Sequence, residues 1–323
     1  MNQGGAPVPP VRVEGLVRRY GQVTAVDGIT FEVERGETFG LIGPDGAGKT
    51  STLRTVLGLL QPQAGTVRTC GLDPFRDRRR LSHRVGYLSQ RFSLYGDLSV
   101  DENVSFFASV HGVARFRAKR DELLEELRLA PFRDRLARHL SGGMKQKLAL
   151  ACTLVHTPEV LVLDEPTTGV DPVSRRDFWR ILARLQRQGL TLLLTTPYLD
   201  EAERCERVAL MDRGRILSLD TPEALRQREA GSVVEVLARP RRAAQELLAA
   251  RPEVTDLETF GERLHATLGR TPREEAAAAA ERLAGALRQA GIEVEAVRPT
   301  LPSLEDIFIA RIRGQLPQGE VHP

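Results

Sequence analysis

Nine residues constrain this chain more than any other stretch: Gly43-Pro44-Asp45-Gly46-Ala47-Gly48-Lys49-Thr50-Ser51. They fit the spacing G-x-x-x-x-G-K-[ST]. Residues 37–42 before them read as a strand ending in apolar Leu41-Ile42. Residues 51–60 after them carry Leu53, Val56, Leu57 and Leu60 at helical spacing. Gly43, Gly46 and Gly48 permit backbone conformations that a Cβ forbids, so the loop can turn its N–H groups inward as an anion nest. The helix start adds unpaired N–H groups and the positive end of its dipole. Lys49 is then placed to reach the β- and γ-phosphates of a nucleotide, and Thr50 to ligate Mg²⁺. A chance glycine-rich turn is the alternative, but such a turn seldom also falls between a strand and a helix.

At 323 residues the chain has room for a full core and two domains. Its net charge of +3 gives no ground for a nucleic-acid partner. Lys49, Lys119, Lys145 and Lys147 are the only lysines, which makes a lysine in the loop more telling. Cys70, Cys152 and Cys205 are scattered outside any C-x-x-C spacing. They point to a reducing compartment, with no disulfide framework and no zinc site. No apolar run nears the roughly 18–20 residues that span a bilayer, and residues 1–10 lack a basic-then-apolar signal. The expectation is a cytoplasmic protein whose membrane role, if any, runs through a partner.

Residues 1–10 read as a disordered leader. Strand-like runs at 11–16 and 29–33 lie either side of Tyr20, which either stacks on a base or fills an ordinary core or surface position. Residues 61–65 are a turn, 66–69 a strand, and 76–84 a solvated charge run. Residues 85–89 form a strand that delivers Gln90 to a loop. From 99 to 138 the spacing turns helical, with Val104, Phe107 and Val110 followed by Leu123, Leu124, Leu127 and Leu129. This reads as an inserted helical lobe over about residues 91–140.

Leu140-Ser141-Gly142-Gly143-Met144-Lys145-Gln146 comes next, ahead of a helix rich in Leu and Ala. Ser141, Gly142 and Gly143 make either a second anion site at a helix start or an ordinary serine N-cap. The four apolar residues 160–163 fit a parallel strand buried on both faces. Asp164-Glu165-Pro166 emerges at its C-terminal end, where open α/β sheets place ligands. One carboxylate can hold Mg²⁺ while its neighbour polarises an attacking water. Asp171 as N-cap and Pro172 behind it start a helix that Gly189 stops. Residues 190–195 form another buried strand, ending at Thr196-Pro197-Tyr198. A helix with Asp200, Glu201 and Glu203 follows, then a hairpin around Asp212-Arg213-Gly214.

In this order, over about residues 11–228, the motifs resemble the ATP-binding subunit of ABC transporters. The resemblance implies an α/β P-loop NTPase with a RecA-like core, an antiparallel β subdomain and a helical subdomain. Tyr20 sits where the family has its adenine-stacking aromatic, residues 43–51 where it has Walker A, and Gln90 where it has the Q-loop glutamine. Residues 140–146 match its signature, 160–165 its Walker B strand and Asp171 its D-loop. Two such cassettes would dimerise head to tail. ATP would then lie against Tyr20, Gly43, Asp45, Gly46, Ala47, Gly48, Lys49, Thr50 and Ser51, with Ser141, Gly142, Gly143 and Asp171 completing the site. Ser141 and Gly143 would reach the γ-phosphate from the second cassette. The resemblance also implies Mg²⁺ near Thr50, Gln90 and Asp164, and catalysis by Glu165 as base with Lys49 and Gln90. Gln90 would further link the nucleotide to a membrane subunit.

One position departs from that pattern. The family usually carries a switch histidine one residue before Tyr198, and here the residue is Pro197. Proline has neither a side-chain donor nor a backbone N–H. Losing one transition-state donor costs about 10²–10³ in rate in comparable sites. Either turnover is slowed, or the chain pairs with a cassette whose sites are complete, or Glu165 and Lys49 suffice and Pro197 only starts the next helix.

A change of pattern opens near Gly231-Ser232. Strands at 233–237, 254–260, 263–268 and 292–297 and helices at 241–250 and 272–290 give the order β-α-β-β-α-β, a small ferredoxin-like α+β domain over 231–313. A closing helix covers 303–313, and 314–323 reads as a frayed tail. Residues 302–308, with 93–98 and 198–203, resemble cassettes that serve ABC-2-type exporters. No catalytic constellation falls in this region; regulation, dimerisation, permease contact and a structural lid all stay open. The leading expectation is an ATPase on the cytoplasmic face of the membrane, powering export through separate permease subunits. A soluble ABC ATPase acting on nucleic acid or ribosomes fits less well, because the cassette is uninterrupted and no heptad arm is present. A nucleotide-gated module of low turnover is the third reading, sustained by Pro197.

Overall fold

Short runs of Val, Leu and Ile build most of the strands, and their burial decides the layers. A computed structural model describes residues 8–90, 94–228, 233–269 and 275–313. Residues 1–7 of the expected leader, the start of the helical lobe at 91–93, the expected domain join at 229–232 and the tail from 314 lie outside the described residues. The chain divides between Ile216 and Leu217 into two compact units.

In the first unit, β1 (Val11–Tyr20) and β2 (Val23–Val33) form a hairpin longer than the sequence runs predict. Then come β3 (Thr38–Ile42), α1 (Lys49–Val56), β4 (Ala64–Thr69), α2 (Arg78–Leu81) and β5 (Val85–Leu88). The helical stretch resolves into α3 (Val100–Val110) and α4 (Arg117–Glu126), with short 3₁₀ turns behind them. Next are α5 (Gly142–Leu154), β6 (Val160–Asp164), α6 (Pro172–Arg187), β7 (Thr191–Thr196), α7 (Leu199–Ala202) and β8 (Arg207–Asp212), and the division falls within β9 (Arg215–Asp220). α1 is shorter than its apolar spacing predicts, because Leu57 caps it and Gly58 turns left-handed at φ 68°.

β1, β2 and β4 make a three-stranded antiparallel sheet, order β2-β1-β4. The larger sheet has the order β5-β6-β7-β3-β8-β9, parallel from β5 through β8. Every residue of β3, β6 and β7 is buried, as expected for parallel strands covered on both faces. β7 lies between the other two. Its register pairs Thr195 with Asp164 and Thr196 with Ile42, so three strand ends finish level at one edge. α3 starts from a capping box in which Ser99 and Glu102 satisfy each other's backbone N–H.

The second unit contains α8 (Pro222–Arg228), β10 (Val233–Arg239), α9 (Arg241–Ala249), β11 (Val254–Phe260), β12 (Arg263–Leu268), α10 (Ala276–Gln289), β13 (Glu293–Thr300) and α11 (Leu304–Ile312). α8 packs beside α11 and so groups here, although the sequence reading places it in the first domain. The sheet is antiparallel throughout, order β11-β12-β10-β13, the arrangement of a ferredoxin-like fold. Val234, Val236, Leu264 and Ala266 point into a core with Leu248 of α9 and Leu283 and Leu287 of α10. The residues between them, Glu235 and His265, take the opposite face. Among the described residues no helix is long and apolar enough to cross a membrane. Cys70, Cys152 and Cys205 are free and buried, and burial pushes the Cys70 thiol up to about 11.

Candidate nucleotide site

The loop between β3 and α1 is shaped by close approach. Gly48 caps α1 with φ 99°, and a Cβ there would lie 2.3 Å from the Ala25 carbonyl oxygen. Only glycine meets both conditions. Lys49 follows, almost fully buried, and its Nζ donates to the carbonyls of Gly43 at 2.7 Å and Pro44 at 3.0 Å. The same Nζ stands 3.4 Å from Glu165 Oε1. Asp45, Gly46, Ala47, Gly48, Lys49, Thr50 and Ser51 line a cleft of about 500 Å³ together with residues 23–25, Gln90 and Glu165. Tyr20 is exposed beside it; its hydroxyl is 3.3 Å from Ser51 Oγ, and the Arg18 guanidinium lies 4.6 Å from its ring centre.

The end of β6 supplies two carboxylates with different surroundings. Asp164 is buried, and its Oδ1 accepts from Thr50 Oγ1 at 3.0 Å and from Thr195 Oγ1 at 2.8 Å. The Tyr87 hydroxyl donates to Oδ2 at 3.4 Å. Burial, then the Asp164 charge, push the Tyr87 phenol above its usual range. Glu165 turns left-handed at φ 48°. For a non-glycine residue that costs about 1–3 kcal/mol and persists where neighbours fix it. Here the Glu165 N–H donates to the Thr195 carbonyl at 3.1 Å and to its Oγ1 at 3.0 Å. Glu165 Oε2 accepts from Gln90 Nε2 at 2.8 Å and from Thr168 Oγ1 at 3.4 Å. The turned backbone thus aims Oε1 at Lys49.

Ser141 caps α5, its Oγ accepting from the Met144 N–H at 3.3 Å, and Ser141 and Gly142 are exposed. Gly143 is buried, because a Cβ there would lie 2.4 Å from Ser174 Oγ of α6. The Gln146 amide donates to the Pro166 carbonyl, which ties α5 to the turn behind Glu165. Asp171 caps α6, accepting from the N–H groups of Val173 at 3.1 Å and Ser174 at 2.9 Å. Hydrogen bonds from the Ser174 side chain and backbone hold its carboxyl below the usual range.

The structure therefore brings Lys49, Thr50, Gln90 and Glu165 to one cleft, with Asp164 behind it, joined through the Thr50 hydroxyl. Ser141, Gly142, Gly143 and Asp171 are not among the residues that line it. Thr195, Thr168 and Tyr87 escape the sequence reading. The signal for Thr195 was a hydroxyl at the end of an otherwise leucine-filled strand.

A family model described as ABC transporter matches residues 26–168. Nod factor export ATP-binding protein I of Ralstonia nicotianae is 43% identical over 81% of this chain and 82% of its own length. The chain belongs to the ATP-binding proteins of ABC transporters. Daunorubicin resistance ATP-binding protein DrrA3 of Streptomyces coeruleorubidus matches this ABC protein at 37% identity over 93% of the chain and 94% of its own length. The probable multidrug ABC transporter ATP-binding protein YbhF of Escherichia coli is 40% identical over 68% of the chain, which spans only 38% of YbhF. Among solved structures, an ATP-binding subunit of an ABC transporter superposes with a TM-score of 0.62 at 28% identity, over 68% of this chain and 92% of that one. The cassette cbiO1 of Clostridium perfringens gives 0.63 at 26% identity, over 76% and 96%.

In this ABC cassette Pro197 sits where β7 ends. The Gly43 N–H donates to the Thr196 carbonyl at 3.4 Å, and the Tyr198 N–H to Thr196 Oγ1 at 3.0 Å. The Pro197 position is thus held from both sides by backbone groups of its neighbours.

Proposed function

We propose that this chain is the ATP-hydrolysing subunit of an exporter, working in pairs on the cytoplasmic face of the membrane against separate ABC-2-type permease subunits. The observation that carries the reading is the contact between buried Lys49 and Glu165 at the mouth of the loop. A triphosphate on the loop N–H groups gives Lys49 an anion in exchange for that carboxylate. Glu165, still gripped by Gln90 and Thr168, then serves as general base for the attacking water. Tyr20 offers an exposed ring to the adenine.

Thr50 and Asp164 would hold Mg²⁺. Among the described residues no group of three or more His, Cys, Asp and Glu gathers for a metal. A Mg²⁺ ion that takes one or two protein oxygens and the rest from phosphates and water fits a threonine hydroxyl beside one carboxylate. When bound, the ion neutralises charge on the β- and γ-phosphate oxygens.

Ser141 and Gly142 present a helix start to solvent, so the γ-phosphate is closed off by the turn of a second cassette, with Gly143 and Asp171 shaping that turn. Export is supported by the names of the relatives, which speak of multidrug transport, Nod factor export and daunorubicin resistance. Separate partner subunits are supported by cbiO1, described as part of the complex cbiONQ. Purified protein should release phosphate from MgATP and should co-purify with a polytopic membrane protein; absence of both sinks this reading. A low-turnover, nucleotide-gated role is favoured by Pro197 alone. Pro197→His should raise kcat if the missing donor limits the rate, and an unchanged kcat removes that second reading.

A further inference from the structure

Glu201 lies outside the nucleotide cleft, on the single turn of α7, and is fully buried at 0% exposure. A carboxylate in that position is rare unless paired. Its partners come from three segments that surround the hydrolytic carboxylate. Thr167 Oγ1, two residues beyond Glu165, donates to Oε1 at 2.5 Å. Thr196 Oγ1, at the end of β7, donates to Oε2 at 2.8 Å. Arg175, on α6 one turn past Asp171, holds its Nε 3.7 Å from Oε1 and lays its guanidinium 4.5 Å from the centre of the Tyr198 ring.

We propose that Glu201 is a positioning residue of the hydrolytic site, locking the turn behind Glu165, the Thr196-Pro197-Tyr198 segment and the start of α6 into one arrangement. The inference rests on Glu165 being the hydrolytic base, as proposed above. The turn at 165–168 has one face already pinned through Gln146 to Pro166. Thr167 is its second anchor, two residues past the left-handed Glu165 backbone whose N–H donates to Thr195. Thr196 joins the lock to the phosphate loop, since its carbonyl accepts from Gly43 N–H while its hydroxyl serves Glu201. Pro197 offers no donor of its own, so this segment is set by the groups on either side of it. A side chain that never touches nucleotide thereby fixes where the base and the β7 end stand.

The test uses full-length protein and isosteric pairs. Thr167→Val removes the hydroxyl and keeps the shape; Thr167→Ser keeps the hydroxyl. We expect Thr167→Val to lower kcat about tenfold, the scale of one buried hydrogen bond to a charged group, with the Kd for ATP unchanged. Thr167→Ser should return kcat to within about twofold of wild type by the same comparison. Glu201→Gln should lower kcat in the same way, with ATP binding retained. Glu165→Gln is assayed alongside. If Glu165→Gln is inactive and Thr167→Val turns over like wild type, the lock is overturned and the ATPase reading stands. If Thr167→Ser is as slow as Thr167→Val, the hydroxyl is not the cause and the lock is overturned as well. If Glu165→Gln turns over like wild type, the ATPase reading falls and takes the lock with it.

Discussion

The two units handle buried charge in opposite ways. In the first, Lys49 and Glu165 are buried at a cleft and meet each other, a contact that a phosphate would replace under the proposed function. In the second, Glu235 on β10 is closed off by Arg263 at 2.7 Å and Arg298 at 3.0 Å. Burial pushes the Glu235 carboxyl up, and the hydrogen bonds from Arg263 and Arg298 outweigh it, holding the group below the usual carboxylate range. Asp306 likewise caps its own helix and lies 3.5 Å from His265. A buried charge marks a reactive site when its partners are exchangeable, and a scaffold when they are not.

The sharpest way to break this contrast is Glu165→Gln. Turnover at saturating MgATP should fall by about 10²–10⁴, with the unfolding midpoint unchanged; a stability loss of similar weight would place Glu165 with the scaffold charges. Next is Gly143→Ala, which puts a methyl against Ser174. Overpacking of this kind costs about 1–3 kcal/mol. Turnover should drop about tenfold or more on that scale while single-chain ATP affinity holds, and a second change, Ser174→Gly, should recover part of it.

Glu235→Gln should do the reverse. Denaturant titration of the second unit should show a loss of about 1–3 kcal/mol, with kcat unaltered. A loss of ATPase activity there would erase the distinction between the units.

The smallest effect is in pH dependence, and its sign differs between the units. Burial, then the neighbouring His111, push His156 of the first unit from 6.5 down to about 4. The unfolded chain therefore takes the proton first, and this contribution is whole above pH 6.5 and fades as pH falls toward 4. A hydrogen bond to Asp306 raises His265 of the second unit above 6.5. Its contribution is whole below 6.5 and fades as pH rises through the raised value. Stability curves of His156→Gln and His265→Gln should flatten on the acid and alkaline limbs respectively. Flattening on the same limb would contradict the assignment.

What could be read in the sequence was local. The spacing around Lys49, the unbroken apolar run before Asp164, and the Asp171-Pro172 helix start each depend on neighbours within a few residues. The β-α-β-β-α-β order of the second unit followed from the same kind of pattern. What could not be read was long-range pairing. Thr195 meets Asp164, and Thr167 meets Glu201, only because β7 is inserted beside β6 in the sheet. No period along the chain encodes that order. The expected helix after Tyr198 shrank to one turn where the Glu201 side chain is drawn inward by two threonines. The contact between Gly143 and Ser174 was equally invisible, since it joins two helix starts some thirty residues apart.

That contact has a geometric consequence. There is no room for even one methyl between the first turns of α5 and α6, so they pack at the distance that only glycine allows. The hydrogen atom of Gly143 is thus the spacer that lets the start of α5 sit against the corner that Asp171 caps.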